Sequence, residues 1–166
     1  LKARTGKYEW RCQRYSAVAE KMIDAGLCND DMVIDIGAGW TEFDVYLREL
    51  GWRGRYLPID GGLDGTDLEF WTPPRKAEFI VAIELIEHLE DPRRMLKAME
   101  VYATKLCAIT TPNPKTTDVL GMDPTHKSMI YETEMRIWKW EAEVRSFYGQ
   151  PDDSILAWRN ANGSTP

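Results

Sequence analysis

The sequence predicts a doubly wound α/β domain, a mostly parallel sheet with helices on both faces. Three observations carry this. Met32-Val33-Ile34-Asp35-Ile36 opens as the apolar run of a strand buried on both sides, then breaks at Gly37 and Gly39. The chain restarts at Thr41-Glu42-Phe43-Asp44 with the pattern of a helix start, Thr41 as cap and Asp44 three positions on. Two further apolar runs, 79–83 and 106–110, alternate with helical segments in the same way.

Residues 8–25 read as a helix, because Tyr15, Val18 and Met22 recur at helical spacing with Ala19 and Ile23 alongside, and Gly26 is placed to stop it. Lys7, Arg11 and Arg14 fall on one face. A solvated helix face is the plainer reading of that row. The sharper one is a basic edge that meets an anionic substrate or partner.

Phe43, Tyr46, Leu47 and Leu50 give the helix after the glycine turn an apolar stripe, and Gly51 ends it. Arg55-Tyr56-Leu57-Pro58-Ile59-Asp60 is then a short strand ending in an acid. An acid there accepts hydrogen bonds from ribose hydroxyls in nucleotide-binding sheets, or else it is a turn aspartate before Gly61-Gly62. Pro58 lacks a ladder donor and belongs on an edge. Only the 18 residues 61–78 precede the next strand, and they contain Gly-Gly, Asp-Gly and Pro-Pro. The expectation is that one strand is missing after Asp60 and that strand two is the sheet edge. Asp67-Leu68 is a candidate contact to an adenine amino group, and Trp71 either covers that ring or, the plainer reading, plugs the sheet edge where the missing strand would lie.

The strand at 79–83 runs into Glu84-Leu85-Ile86-Glu87-His88-Leu89-Glu90. Asp91 caps a helix with Pro92 at its first position and Met95, Met99 and Tyr102 inward. The strand at 106–110 ends in Thr111-Pro112-Asn113-Pro114. A polar loop, 115–130, is long enough to be functional. Residues 132–140 read as helical, and 144–148 and 155–158 as an antiparallel hairpin around Gly149-Gln150-Pro151-Asp152-Asp153.

Charge discriminates between ligands at the glycine turn. A dinucleotide fingerprint needs glycine where Glu42 stands. Glu42 and Asp44 in the first helical turn repel a diphosphate and tolerate a cation. S-adenosylmethionine has no phosphate and carries a sulfonium, so it is preferred to NAD.

The 166 residues fit one domain, with 1–27 as an N-terminal helical segment and 32–159 as the core, ahead of a polar tail from Asn160. No apolar run reaches membrane-spanning length, and the first residues lack the apolar segment of a signal peptide. Cys12, Cys28 and Cys107 are odd in number and widely spaced, as reduced cysteines of a cytoplasmic protein would be. A net charge of −6 argues against a general nucleic-acid-binding surface, though not against a local basic patch.

The ordered motifs resemble those of the class I S-adenosylmethionine-dependent methyltransferases, small and Rossmann-like. They are Val33-Ile34-Asp35-Ile36-Gly37-Ala38-Gly39, Asp60, Asp67-Leu68, Ala82-Ile83-Glu84-Leu85-Ile86-Glu87-His88-Leu89 followed by Asp91-Pro92, and Thr110-Thr111-Pro112-Asn113-Pro114. They cover residues 32–114 in the family's order, and the closing hairpin is also that family's ending. The departures are Thr41 in place of a third glycine and the compressed stretch after Asp60. The resemblance implies that Asp35, Gly37 and Gly39 surround the methionine part of the cofactor, that Asp60 holds the ribose and Asp67 the adenine, and that Glu84 borders the transferred methyl. It implies methyl transfer to an oxygen or nitrogen acceptor of unknown identity. The alternative is a non-catalytic module that keeps the cofactor pocket.

Glu84-x-x-Glu87-His88 with a later His126 is similar to the ligand pattern of the metal-dependent enzymes that methylate terminal 2′-hydroxyls of small RNAs and of the ubiquinone-pathway O-methyltransferases. The resemblance makes Glu84, Glu87, His88 and His126 candidate ligands of a divalent metal. A histidine that only hydrogen-bonds or anchors the loop is the plainer alternative. These are the chain's only two histidines, so His88 and His126 are also the candidate general bases. With little room for an added recognition domain, the chain suits an open substrate site, a homodimer or a subunit working beside a partner protein.

Overall fold

The computed structural model describes residues 6–161. Among the described residues six strands form one sheet in the order β2-β1-β3-β4-β6-β5. They are β1 (Met32–Ile36), β2 (Arg55–Ile59), β3 (Ala77–Ile83), β4 (Ala103–Pro112), β5 (Glu141–Arg145) and β6 (Ser154–Asn160). The first four pair in parallel, while β6 runs antiparallel to both β4 and β5. This is the expected doubly wound architecture with its closing hairpin.

Side-chain alternation along the strands divides the core in two. Ile34, Ile36, Ile80, Ala82, Cys107 and Ile109 share one cluster with Met95, Leu96 and Met99 of α4 (Pro92–Tyr102) and Met135 of α6 (Glu132–Ile137). Val33, Phe79, Val81, Leu106 and Ala108 share the other with Tyr15, Val18 and Met22 of α1 (Gly6–Asp24) and Phe43 and Leu47 of α2 (Glu42–Glu49). The methyl-rich strands are therefore covered on both faces, which is why they read as continuous apolar runs.

Among the described residues β2 pairs only with β1, and Pro58 lies opposite Asp35 in that register. No strand forms between β2 and β3. The stretch holds the one-turn α3 (Gly61–Asp64), and Leu68 and Trp71 pack half-buried against the core cluster that contains Ile59. The missing strand and the edge position of Pro58 are as expected. Asp91 caps α4 as anticipated, accepting from the Arg94 N–H at 3.1 Å.

Several expectations need correction. Thr41 stands at the start of α2 but caps nothing with its side chain. It adopts φ 57°, and its hydroxyl donates to the Trp40 carbonyl at 2.7 Å. Position 41 continues the left-handed turn of Gly37 (φ 74°) and Gly39 (φ 51°), so its hydroxyl is turned away from the helix. β5 spans Glu141–Arg145 rather than 144–148. Asp153 takes the N–H groups of Phe147, Tyr148 and Gln150 on its carboxylate, which removes them from the ladder. The loop 115–130 contains a one-turn α5 (Val119–Met122), and Asn160 belongs to β6 rather than to a tail. The Lys7 side chain lies outside the described residues.

Candidate functional site

β1 and β3 end side by side, and the glycine turn after β1 bends away from the sheet to leave a cavity of about 360 Å³. Asp35, Gly37, Gly39 and Glu84 line it from below, Glu42 and Phe43 from α2, and Arg11, Arg14 and Tyr15 from α1. Trp40 stands at its rim, 83% exposed. Gly37 is required twice over. Its φ is positive, and a Cβ there would meet Leu85 at 2.9 Å.

Asp35 is 2% exposed. One oxygen accepts from the Tyr56 hydroxyl, while Oδ1 has no protein partner. Burial pushes its carboxyl up to about 7 against the opposing pull of the Tyr56 hydrogen bond. A buried acceptor left unsatisfied costs free energy unless something supplies a donor. A cationic or N–H-bearing group that reached Asp35 Oδ1 would supply the donor it lacks.

Arg14 is buried, at 8% exposure, so the reading of Lys7, Arg11 and Arg14 as a solvated face fails at this position. Its Nη1 lies 3.2 Å from Glu84 Oε2 and donates to the Tyr148 hydroxyl at 2.6 Å, and its Nε has no partner. Arg11 pairs with Glu42 at 2.5 Å, and the Tyr15 hydroxyl donates to the same carboxylate at 3.1 Å. Asp44 pairs with Arg48 at 3.0 Å. The two acids that the sequence sets against a diphosphate are thus each matched by an arginine, which offsets much of their repulsion of a phosphate. The mismatch to the dinucleotide fingerprint at Glu42 stands.

Glu84 occupies the tip of β3 with φ 55°, a left-handed conformation that non-glycine residues rarely hold. Its backbone N–H donates to the Thr110 carbonyl at 3.0 Å and its Oε1 accepts from the Thr110 hydroxyl at 2.8 Å. Asp60 does not line the cavity but is tied to it. Its Oδ2 accepts from the Gly39 N–H at 2.9 Å and its Oδ1 from the Gly62 N–H at 2.8 Å. It is therefore a turn aspartate whose remaining lone pairs stay available. Asp67 is farther out, accepting from the Glu69 N–H at 3.1 Å, and is not among the cavity-lining residues.

The histidines form a separate cluster. The His88 and His126 rings meet edge to face with centroids 4.6 Å apart, and one ligand atom from each lies within 4.8 Å of the others and of a Glu87 carboxylate oxygen. Glu84 is not part of this group, so the expected set of four reduces to three. The Thr125 hydroxyl donates to Asp123 Oδ1 at 2.6 Å and therefore accepts the His88 Nδ1–H at 2.9 Å. His126 Nδ1 donates to the Val119 carbonyl at 2.5 Å. Each imidazole thus keeps its Nε2 lone pair for a metal or a proton. Burial, then His126, holds the His88 imidazole below its ordinary range. Burial, then the Glu84 charge, pushes the Glu87 carboxyl well up.

Arg14, Asp123, Thr125 and Tyr148 belong to these networks without a motif to announce them, and Thr110 stands in a motif that gave it no role. Arg14 alone left a trace, in the basic row of α1.

Neither a family model nor a curated protein matches the chain. Solved structures do. An S-adenosylmethionine-dependent methyltransferase from Archaeoglobus fulgidus superposes with a TM-score of 0.64 at 15% identity, over 90% of this chain and 94% of that one. The magnesium protoporphyrin IX methyltransferase of Synechocystis PCC 6803 with bound S-adenosylhomocysteine gives 0.62 at 13%, over 92% and 84%. The small RNA methyltransferase HEN1 gives 0.67 at 18%, over 96% of this chain and 26% of that one. The chain has the fold of the class I S-adenosylmethionine-dependent methyltransferases.

Proposed function

We propose that this chain is a methyltransferase that uses S-adenosylmethionine to methylate an oxygen or nitrogen acceptor. The observation that carries this reading is the orphaned Oδ1 of Asp35, buried in a glycine-cornered cavity at the end of β1. The donor's α-ammonium is the kind of group that acceptor lacks, and the likeness to structures with bound S-adenosylhomocysteine agrees with it.

In this reading Asp35 holds the ammonium, and the Gly37 and Gly39 backbone lets the methionine chain approach. Asp60 receives the ribose hydroxyls on the lone pairs that Gly39 and Gly62 leave. Asp67 stays a candidate for the adenine edge. Glu84 borders the reacting centre from the tip of β3. When bound, the donor supplies an electrophilic methyl on a sulfonium, and the chain's task is in-line orientation and exclusion of water. His88 or His126 would take the acceptor's proton at Nε2. Titration calorimetry with S-adenosylhomocysteine and with NAD tests the reading: micromolar binding of the first and none of the second is expected, and the reverse would overturn it.

One observation favours a metal-assisted version. Glu87, His88 and His126 offer one oxygen and two nitrogens, a donor set suited to zinc, manganese or iron. The imidazoles are held from behind as metal-ligating histidines are. A divalent ion there would lower the pKa of an acceptor hydroxyl.

A further inference from the structure

The connection between β5 and β6, residues 146–153, reaches the methyl-donor cavity through one side chain. The Tyr148 hydroxyl donates to Glu84 Oε2, and Arg14 Nη1 donates to the hydroxyl oxygen at 2.6 Å. The Arg14 guanidinium also lies over the Tyr148 ring, 5.0 Å from its centroid. Residues 134 positions apart in the chain thus converge on one carboxylate oxygen. Arg14 and Glu84 line the cavity and Tyr148 stands behind them.

Tyr148 is itself held. Asp153, 3% exposed, accepts from the N–H groups of Phe147 (2.7 Å), Tyr148 (2.8 Å) and Gln150 (3.0 Å) and from the Ser154 hydroxyl (2.8 Å). The Asn113 N–H, at the end of β4, ties the Asp153 carbonyl at 2.8 Å. A loop fastened this way presents the phenol at a fixed height above the sheet edge.

Glu84 needs such a fixture. A residue with positive φ and a side chain to orient persists only where its surroundings over-determine it. Thr110 fixes one carboxylate oxygen, and Tyr148 and Arg14 fix the other. Without the phenol, Arg14 alone would hold Oε2 at a looser 3.2 Å, and Arg14 would lose the nearer of its two acceptors.

We propose that Tyr148 is a positioning residue for the donor cavity: its hydroxyl fixes the Glu84 carboxylate and the Arg14 guanidinium in the cavity wall, and Asp153 fixes Tyr148. The inference rests on the reading of the cavity as the methyl-donor site.

The test is a binding cycle on the full chain, with S-adenosylhomocysteine as probe and calorimetry well below the melting transition. Tyr148→Phe keeps the ring under Arg14 and removes only the hydroxyl. It should weaken binding about tenfold, as losing a hydrogen bond to a charged group does, with the melting temperature shifted by only a few degrees. Glu84→Gln should weaken binding too, and the double variant should be within about twofold of the weaker single variant, because the pair acts as a unit. Tyr102→Phe, on α4, is the control and should bind as wild type. If Tyr148→Phe does not fold, Asp153→Asn takes its place in the same cycle. Wild-type affinity in Tyr148→Phe, or losses that multiply in the double variant, would overturn the positioning role alone. A wild-type chain that binds no S-adenosylhomocysteine would overturn the donor-site reading and this inference together.

Discussion

Asp60 fastens two turns with one carboxylate, taking the Gly39 N–H on Oδ2 at 2.9 Å and the Gly62 N–H on Oδ1 at 2.8 Å. The glycine turn and the start of α3 are therefore set relative to each other by a single side chain. Asp60→Asn replaces one acceptor with a donor, so one of the two N–H groups must lose its partner. The expected result is a loss of about 1 kcal/mol in unfolding stability and at least tenfold weaker S-adenosylhomocysteine binding. Urea melts and calorimetry on the same preparation measure both. A loss of stability with unchanged affinity would assign Asp60 to the turn alone.

Asp35 makes a pH prediction with a definite sign. Its carboxyl is pushed up to about 7 in the folded chain by burial, and lies near 4 in an unfolded one. Between those values the folded chain binds more protons. Its contribution is fully present below about pH 4 and is lost as pH rises through about 7, by roughly 1.4 kcal/mol per unit. Urea melts at pH 5 and pH 7.5 should show a larger loss in the wild type than in Asp35→Asn, where the raised Glu87 carboxyl still contributes its own loss. Binding reverses the preference, because an ammonium partner favours the ionised carboxylate. S-adenosylhomocysteine affinity should therefore rise with pH up to about 7, and its binding at pH 7 should release up to about half a proton.

Much of the architecture was legible because it is local. The apolar runs of β1, β3 and β4 and the Asp91-Pro92 helix start are written in neighbouring residues, and Pro58 names its edge by lacking a donor. The misreadings come from backbone geometry and side-chain contacts that the residue pattern does not display. Thr41 has a capping side chain, but the turn before it imposes a left-handed backbone. Arg14 has the spacing of a solvated row, but Glu84 and Tyr148 cover it. Strand propensity at Phe147 and Tyr148 yields to a carboxylate six residues away from Phe147, which no local pattern reveals. The histidine pair was legible as a candidate, while its Thr125 and Asp123 support was not, since nothing in that loop's sequence says which way it folds back.

Thr41 is strained, and relieving it should stabilise the chain. A β-branched residue at φ 57° costs about 1–2 kcal/mol over a right-handed conformation. Its hydroxyl gives back only one exposed hydrogen bond, to the preceding carbonyl. Glycine removes the strain and costs up to about 1 kcal/mol in unfolded-state entropy. Thr41→Gly should raise the unfolding free energy by about 0.5–1 kcal/mol with the same denaturant slope. A lower midpoint would mean that Thr41 is held by contacts worth more than its strain.

The histidine cluster makes the remaining prediction, and its support residues make it specific. Glu87, His88 and His126 should take up one equivalent of zinc or manganese per chain at pH 7.5, and His126→Ala should abolish it. Thr125→Val removes the acceptor of the His88 Nδ1–H without touching a ligand atom. The ring is then free to turn or change tautomer, and metal affinity should fall about ten- to a hundredfold. Thr125→Ser keeps the hydroxyl between His88 and Asp123 and should restore it. Metal content by mass spectrometry and competition with a chromophoric chelator give the affinities. Equal affinity in Thr125→Val and wild type would detach the threonine from the site. No uptake by the wild type would leave the two imidazoles as proton acceptors only, and His126→Ala would then be judged by its effect on turnover.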